Sequence, residues 1–128
     1  MDILNGMRAM YLMARGWRQL NRRNYPSAIN LLEQAAAIDP DETPLLWLLL
    51  GHARLGAKDV KAATVAYFRY YDIQRKTNPC EWSKWEQSRF KEGLEKLADC
   101  LAWEGRKEDL ARLTREIDQM RRASTASG

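Results

Sequence analysis

One pattern occurs twice in this chain, 35 residues apart, and it limits the fold more than any other feature. Gly16 and Ala28 in the first copy correspond to Gly51 and Ala63 in the second. Glycine facing alanine lets two helices approach closely, so each copy predicts a pair of packed helices. A fixed period of this length is typical of helical hairpins stacked into a solenoid, which leaves a long concave surface for another polypeptide.

Composition limits the class of protein further. The 128 residues suit one helical domain, predicted over 1–122, and the small polar residues of 123–128 predict a disordered tail. Strand-like alternation of Val, Ile and Thr is absent, so we expect an all-α fold. No apolar run is long enough to span a bilayer, and the opening MDILNGMR lacks the apolar segment of an export signal. These features predict a cytoplasmic location without membrane insertion.

Helix signals divide the chain into six predicted helices. The expected spans are 3–22, 25–38, 45–55, 60–73, 81–104 and a last helix beyond Gly105. Asn24, Thr43 and Asp59 are placed as N-caps, and prolines follow the first two of them within a short distance. Glycine at 56 and 105 ends the third and fifth helices.

The repeated positions resemble the tetratricopeptide repeat (TPR). The first copy is carried by Leu12, Gly16, Leu20, Tyr25, Ala28, Leu32, Ala35 and Pro40; the second by Trp47, Leu50, Gly51, Ala63 and Tyr67. Arg15 and Arg75 depart from the family pattern, and the third hairpin matches it only at Ala98 and Leu110. The resemblance implies a TPR-like helical-hairpin solenoid with two clear repeats and a divergent third hairpin.

A short basic chain with so few repeats is also similar to the small TPR chaperones of bacterial type III secretion. Gly16, Trp17 and Leu20 at the opening of the first unit carry this second likeness. Such chaperones shield an apolar segment of an export substrate or apparatus subunit. The resemblance therefore implies a chaperone or binding module with a protein partner.

In a TPR array the first helix of each hairpin lines the concave groove. Carried over position by position, the groove residues are Met10, Met13, Trp17, Leu20, Leu45, Leu48, His52 and Leu55. TPR domains that grip a charged carboxylate place Lys, Arg and Asn at such positions. The groove is therefore predicted to hold an apolar helix or extended segment, for which flexible methionines are well suited.

The sequence leaves open two other ways in which this groove could be covered. One is the protein's own last helix, whose apolar seam needs a surface to pack on: Leu110, Leu113, Ile117 and Met120. The other is a second copy of the chain, which would make a structural homodimer.

Catalytic and metal chemistry find little support. The single histidine, His52, and the two cysteines, Cys80 and Cys100, supply neither a recognisable triad nor a four-ligand zinc site. No glycine-rich phosphate loop is present, so we predict a protein that is not an enzyme and uses no cofactor.

Nucleic acid is the competing partner class. Arg8, Arg15, Arg18 and Arg22 give the first helix a basic face that could follow a phosphate backbone. No nucleic-acid-reading motif accompanies these arginines, so a solvated face or an acidic partner is favoured.

Overall fold

The computed structural model describes residues 3–39 and 43–126, with side chains as far as Arg122. This described part is all-helical and contains no strand, which confirms the all-α part of the predicted fold class. The helices are α1 (Ile3–Asn21), α2 (Tyr25–Ile38), α3 (Pro44–Gly56), α4 (Val60–Gln74), α5 (Lys84–Trp103) and α6 (Lys107–Ala126), with a 3₁₀ turn at Pro79–Glu81. A disordered tail was expected at 123–128, but the backbone of 123–126 continues helix α6 to Ala126, and residues 127 and 128 lie outside the description.

The helix starts lie close to the predicted positions, but two of the three predicted caps act differently. Asp59 accepts a hydrogen bond from the Ala62 amide at 3.2 Å, as an N-cap should. Asn24 and Thr43 occupy N-cap positions without a side-chain cap hydrogen bond. Asn24 instead donates to Gln19 Oε1 across the turn at 3.1 Å.

The start of α5 differs from the prediction by three residues. Ser83 and Glu86 form a capping box, in which the Glu86 amide donates to Ser83 Oγ at 3.1 Å and the Ser83 amide donates to Glu86 Oε1 at 3.2 Å. This reciprocal pair fixes the first turn of the helix. The S-x-x-E spacing was visible in the sequence and marks the true boundary, so starting the helix at Glu81 was wrong.

The turns within the three successive helix pairs share one geometry. Their middle residues, Arg23, Lys58 and Gly105, have φ of 60°, 66° and 72°. In each turn the middle amide donates to the carbonyl three residues back and the next amide to the carbonyl five residues back, at 2.9–3.1 Å. This is the Schellman motif. The first two turns lie 35 positions apart and the last two 47 apart, because α5 and the connection before it are longer than α3 and the connection before that helix.

The helices pack on one another in chain order, and α1 also contacts α3. One core cluster joins α1, α2 and α3 with part of α4, and a second joins α3 and α4 to α5 and α6. Gly16 shows why small residues are needed, because a Cβ added there would lie 2.7 Å from Leu32 Cγ. The close neighbour of this glycine is therefore a large side chain on α2, in addition to the backbone of Ala28.

Candidate partner-binding groove

The α1 wall of the predicted groove carries a row of apolar side chains. Met10 is 66% exposed, while Met13, Trp17 and Leu20 are half-buried against the first core cluster. Their steps of three and four residues place them along one side of the helix. Ile3, two turns before Met10 on the same side, is also exposed and was not selected from the sequence.

The α3 wall is less accessible than predicted. Leu45, His52 and Leu55 are half-buried, but Leu48 is only 1% exposed. A Cβ added at Gly93 would lie 3.2 Å from Leu48 Cδ1, which shows that α5 packs over this leucine. Leu48 therefore belongs to the core, and its placement on the surface of the groove was wrong.

Between α1, α2 and α3 the groove deepens into a cleft of about 120 Å³. Its lining consists of Gly6, Ala9, Met10, Met13, Ala35, Asp39, Thr43 and Leu46. Of these eight residues, only the two methionines were predicted from the sequence to line the groove. Gly6 and Ala9, one turn apart on α1, are the signal that could have revealed the cleft, because small residues leave room beside the methionines. One carboxylate oxygen of Asp39, Oδ2, is buried there and has no hydrogen-bond partner among residues 3–39 and 43–126.

His52 connects three helices. Its Nδ1 lies 2.7 Å from the Tyr67 hydroxyl on α4, and its Nε2 lies 3.3 Å from Glu92 Oε1 on α5. The second approach is within ion-pair distance but is too poorly aligned for a hydrogen bond. Burial lowers the pKa of His52, with nearby Lys96 and Arg89 acting in the same direction and Glu92 opposing them. The imidazole is therefore neutral at neutral pH. Its contacts link α3 to α4 and α5.

The last helix packs away from the α1 wall. Leu113 is buried, and Leu110, Ile117 and Met120 are half-buried, in the cluster that joins α6 to α4 and α5. Tyr71 donates a hydrogen bond to Glu116, and Arg75 Nη1 lies 3.5 Å from the same carboxylate. The apolar seam of α6 thus packs against α5 and α4 and does not cover Met10 or the cleft.

The four arginines of the predicted basic face are all exposed. None of the ion pairs found among the described residues involves Arg8, Arg15, Arg18 or Arg22. The Arg15 guanidinium lies over the Tyr11 ring, 5.7 Å from its centroid. The face is therefore a positively charged surface next to exposed apolar side chains.

The described residues contain neither a metal-binding cluster nor a membrane-spanning helix. Within residues 3–39 and 43–126, no group of three or more His, Cys, Asp or Glu side chains is arranged to hold a metal ion. Over the same residues, no helix combines the length and apolar character that crossing a bilayer requires. Of the two thiols, Cys80 is exposed and Cys100 is buried.

No protein-family model matches the sequence, and no curated protein matches it.

Proposed function

We propose that this chain is a non-catalytic, TPR-like binding module or chaperone that holds an apolar helix or extended segment of a partner protein in the groove beside α1. The observation that carries the proposal is the exposed Met10 above an apolar cleft that α6 leaves open. Each Å² of such surface left in water costs about 25 cal/mol, which a partner would recover.

The three matching turns support the TPR-like part of this proposal. Arg23, Lys58 and Gly105 adopt one backbone geometry at equivalent places in successive helix pairs. Helices paired by similar turns and packed in chain order are what a solenoid of hairpins requires.

The chemistry of the groove supports an apolar partner over a charged carboxylate. Met13 and Trp17 stand where a carboxylate clamp needs cationic or amide side chains. His52, the one polar group among the selected residues, is neutral and engaged by Tyr67. A segment with large apolar side chains therefore fits this surface better than a charged chain terminus.

The likeness to type III secretion chaperones narrows the proposed partner. It would be an export substrate or an apparatus subunit whose apolar segment needs cover until it is secreted or assembled. Identification of the bound protein tests this narrower proposal.

The test compares two substitutions at exposed apolar sites. Tagged wild-type chain, Met10→Glu and Val65→Glu are each used to capture partners from the native cell, with washes at low and high salt. Met10 and Val65 are 66% and 62% exposed, so neither change should unfold the protein. We expect one partner that resists high salt, is lost with Met10→Glu and is kept with Val65→Glu. Equal capture by all three chains would refute binding at the groove.

Nucleic acid is the second candidate, because the arginines of α1 are exposed and form none of the ion pairs found in the described part. Phosphate contacts weaken steeply with salt, whereas an apolar complex responds little. Binding of labelled single- and double-stranded oligonucleotides, measured across a salt series, separates the two. A structural homodimer, the remaining alternative, is tested by sedimentation of the purified chain.

A further inference from the structure

Helix α1 has a second exposed side, distinct from the groove, which we call the outer face. It consists of Leu4, Met7, Tyr11, Arg15 and Arg18, together with Arg22 in the turn directly after the helix. At about 100° per residue these side chains point away from Leu12 and Gly16, the buried positions of α1. Helix α1 packs on α2 and α3, so this side of the helix faces outward.

The outer face is divided along the helix axis. Its first part is mainly apolar, with Met7 and Tyr11 61% and 62% exposed and Arg8 at its edge, and its second part consists of arginines. Each apolar residue is followed 11 positions later by an arginine on the same line: Leu4 by Arg15, Met7 by Arg18, and Tyr11 by Arg22. Eleven residues make about three turns, so the centres of the apolar and charged halves are about 16 Å apart along the helix.

We propose that the outer face docks an amphipathic helix of another protein, which presents apolar side chains at one end and carboxylates about three turns away. The described part of α1 contains no acidic residue, so the arginines have no carboxylate partner on their own helix. The Arg15 guanidinium over the Tyr11 ring holds positive charge at the junction of the two halves. Guanidinium groups bind carboxylates through paired hydrogen bonds, which fixes the register of such a partner.

Charge argues against a second copy of the chain as the occupant. Two α1 helices side by side in parallel would bring arginines against arginines. In the antiparallel arrangement, arginines would face Met7 and Tyr11 of the other copy. Neither arrangement satisfies the charges. A lipid surface fits less well, because a helix in a membrane interface is apolar along the whole length of one side, whereas arginines occupy the second half of this side.

The outer face and the groove are separate surfaces of α1. Met13 and Trp17 lie on a different side of α1, and no groove residue is counted in the outer face. Failure of one surface therefore leaves the other testable.

A designed peptide tests the proposal directly. The probe is a fluorescein-labelled helical peptide of about 18 residues, with Leu along one face of its first half and Glu along the same face of its second half. The comparison peptide carries Lys in place of Glu. By fluorescence anisotropy we expect the wild-type chain to bind the Glu peptide and not the Lys peptide.

Variants of the chain then locate the binding. Arg15→Glu with Arg18→Glu should weaken the Glu peptide by about tenfold or more and should create affinity for the Lys peptide, because like charges repel and opposite charges attract. The neutral pair Arg15→Gln with Arg18→Gln should give an intermediate affinity. Arg112→Glu with Arg115→Glu, a matched change at exposed arginines of α6, should leave binding unchanged.

Four results would overturn the proposal. The first is equal binding of both peptides by the wild-type chain. The second is loss of the Glu peptide with Met10→Glu, which would place the peptide in the groove. The third is a wild-type dimer that the Arg15/Arg18 glutamate variant dissociates. The fourth is flotation with phosphatidylserine–phosphatidylcholine vesicles, lost in the same variant, when neither peptide binds.

Discussion

The ring of Tyr67 lies against the backbone of Gly51 so closely that a Cβ added at Gly51 would be 2.5 Å from Tyr67 Cε1. Gly16 and Leu32 stand in the same relationship, with a distance of 2.7 Å from the added Cβ to Leu32 Cγ. Gly51 follows Gly16 by 35 positions, and Tyr67 follows Leu32 by the same number. The period seen in the sequence therefore corresponds to a repeated close contact between paired helices.

Gly51→Ala should destabilise the protein. Tyr67 is fully buried, so its ring cannot move into solvent to make room for the methyl group. We expect a loss of about 1–3 kcal/mol in the free energy of unfolding, which exceeds the gain from replacing glycine inside a helix. Urea denaturation measures the change.

The matched control is Gly6→Ala, where an added Cβ meets nothing within 4 Å. The same substitution should there raise the free energy of unfolding by about 0.5–1 kcal/mol, because alanine favours the helix. If both variants gain stability, the contact between Gly51 and Tyr67 is looser than the structure shows.

The shared turn geometry predicts that glycine at position 58 stabilises the protein, which is opposite to its effect inside a helix. Lys58 has a φ of 66°, a backbone conformation that costs non-glycine residues about 1–2 kcal/mol. Lys58→Gly should therefore stabilise the protein by about 1 kcal/mol, whereas Lys91→Gly, on the exposed side of α5, should destabilise it by about as much. Thermal unfolding of the two variants checks this contrast, and a loss of stability in both would argue against the turn.

The buried imidazole predicts a loss of stability in mild acid. Burial lowers the pKa of His52 below its usual 6.5, with Lys96 and Arg89 adding to the effect and Glu92 opposing it. Below pH 6.5 His52 therefore binds a proton in the unfolded chain but not in the folded chain. The free energy of unfolding should fall with pH from there down to the folded pKa, by at most about 1.4 kcal/mol per pH unit.

The comparison for this effect is His52→Gln, which cannot titrate. Urea denaturation of both proteins between about pH 5 and 7.5 gives the difference in slope, above the range in which most carboxylates titrate. The variant should be flatter than wild type below pH 6.5. Parallel curves would mean that another group causes the pH dependence.

Core placement of Leu48 predicts a large effect from a neutral truncation. Leu48→Ala should cost about 2–5 kcal/mol, because the surrounding helices cannot close the cavity completely. Leu55→Ala, at a half-buried position of the same helix, should cost less. Unfolding midpoints distinguish the two. Similar losses in the free energy of unfolding would show that α5 does not cover Leu48 and that this side chain lies on the groove surface.

The sequence predicted the helices well because their ends are set by local chemistry. Asp59 caps α4 and Gly105 ends α5 through contacts with residues a few positions away. The capping box of Ser83 and Glu86 is equally local, so the sequence already contained the signal for the start of α5. The groove was harder to predict. Met13 and Leu48 are apolar positions 35 residues apart, yet Met13 is only half-buried while Leu48 is 1% exposed.

By itself, then, the sequence determined the helical class, the position of the turns and the small residues at which paired helices meet. These depend on backbone preferences and side-chain size within a hairpin. Only the tertiary structure decided which apolar side chains face water, because that depends on where helices distant in sequence are placed. The packing of α5 over Leu48 and of α6 on α5 leaves Met10, the cleft and the outer face of α1 exposed.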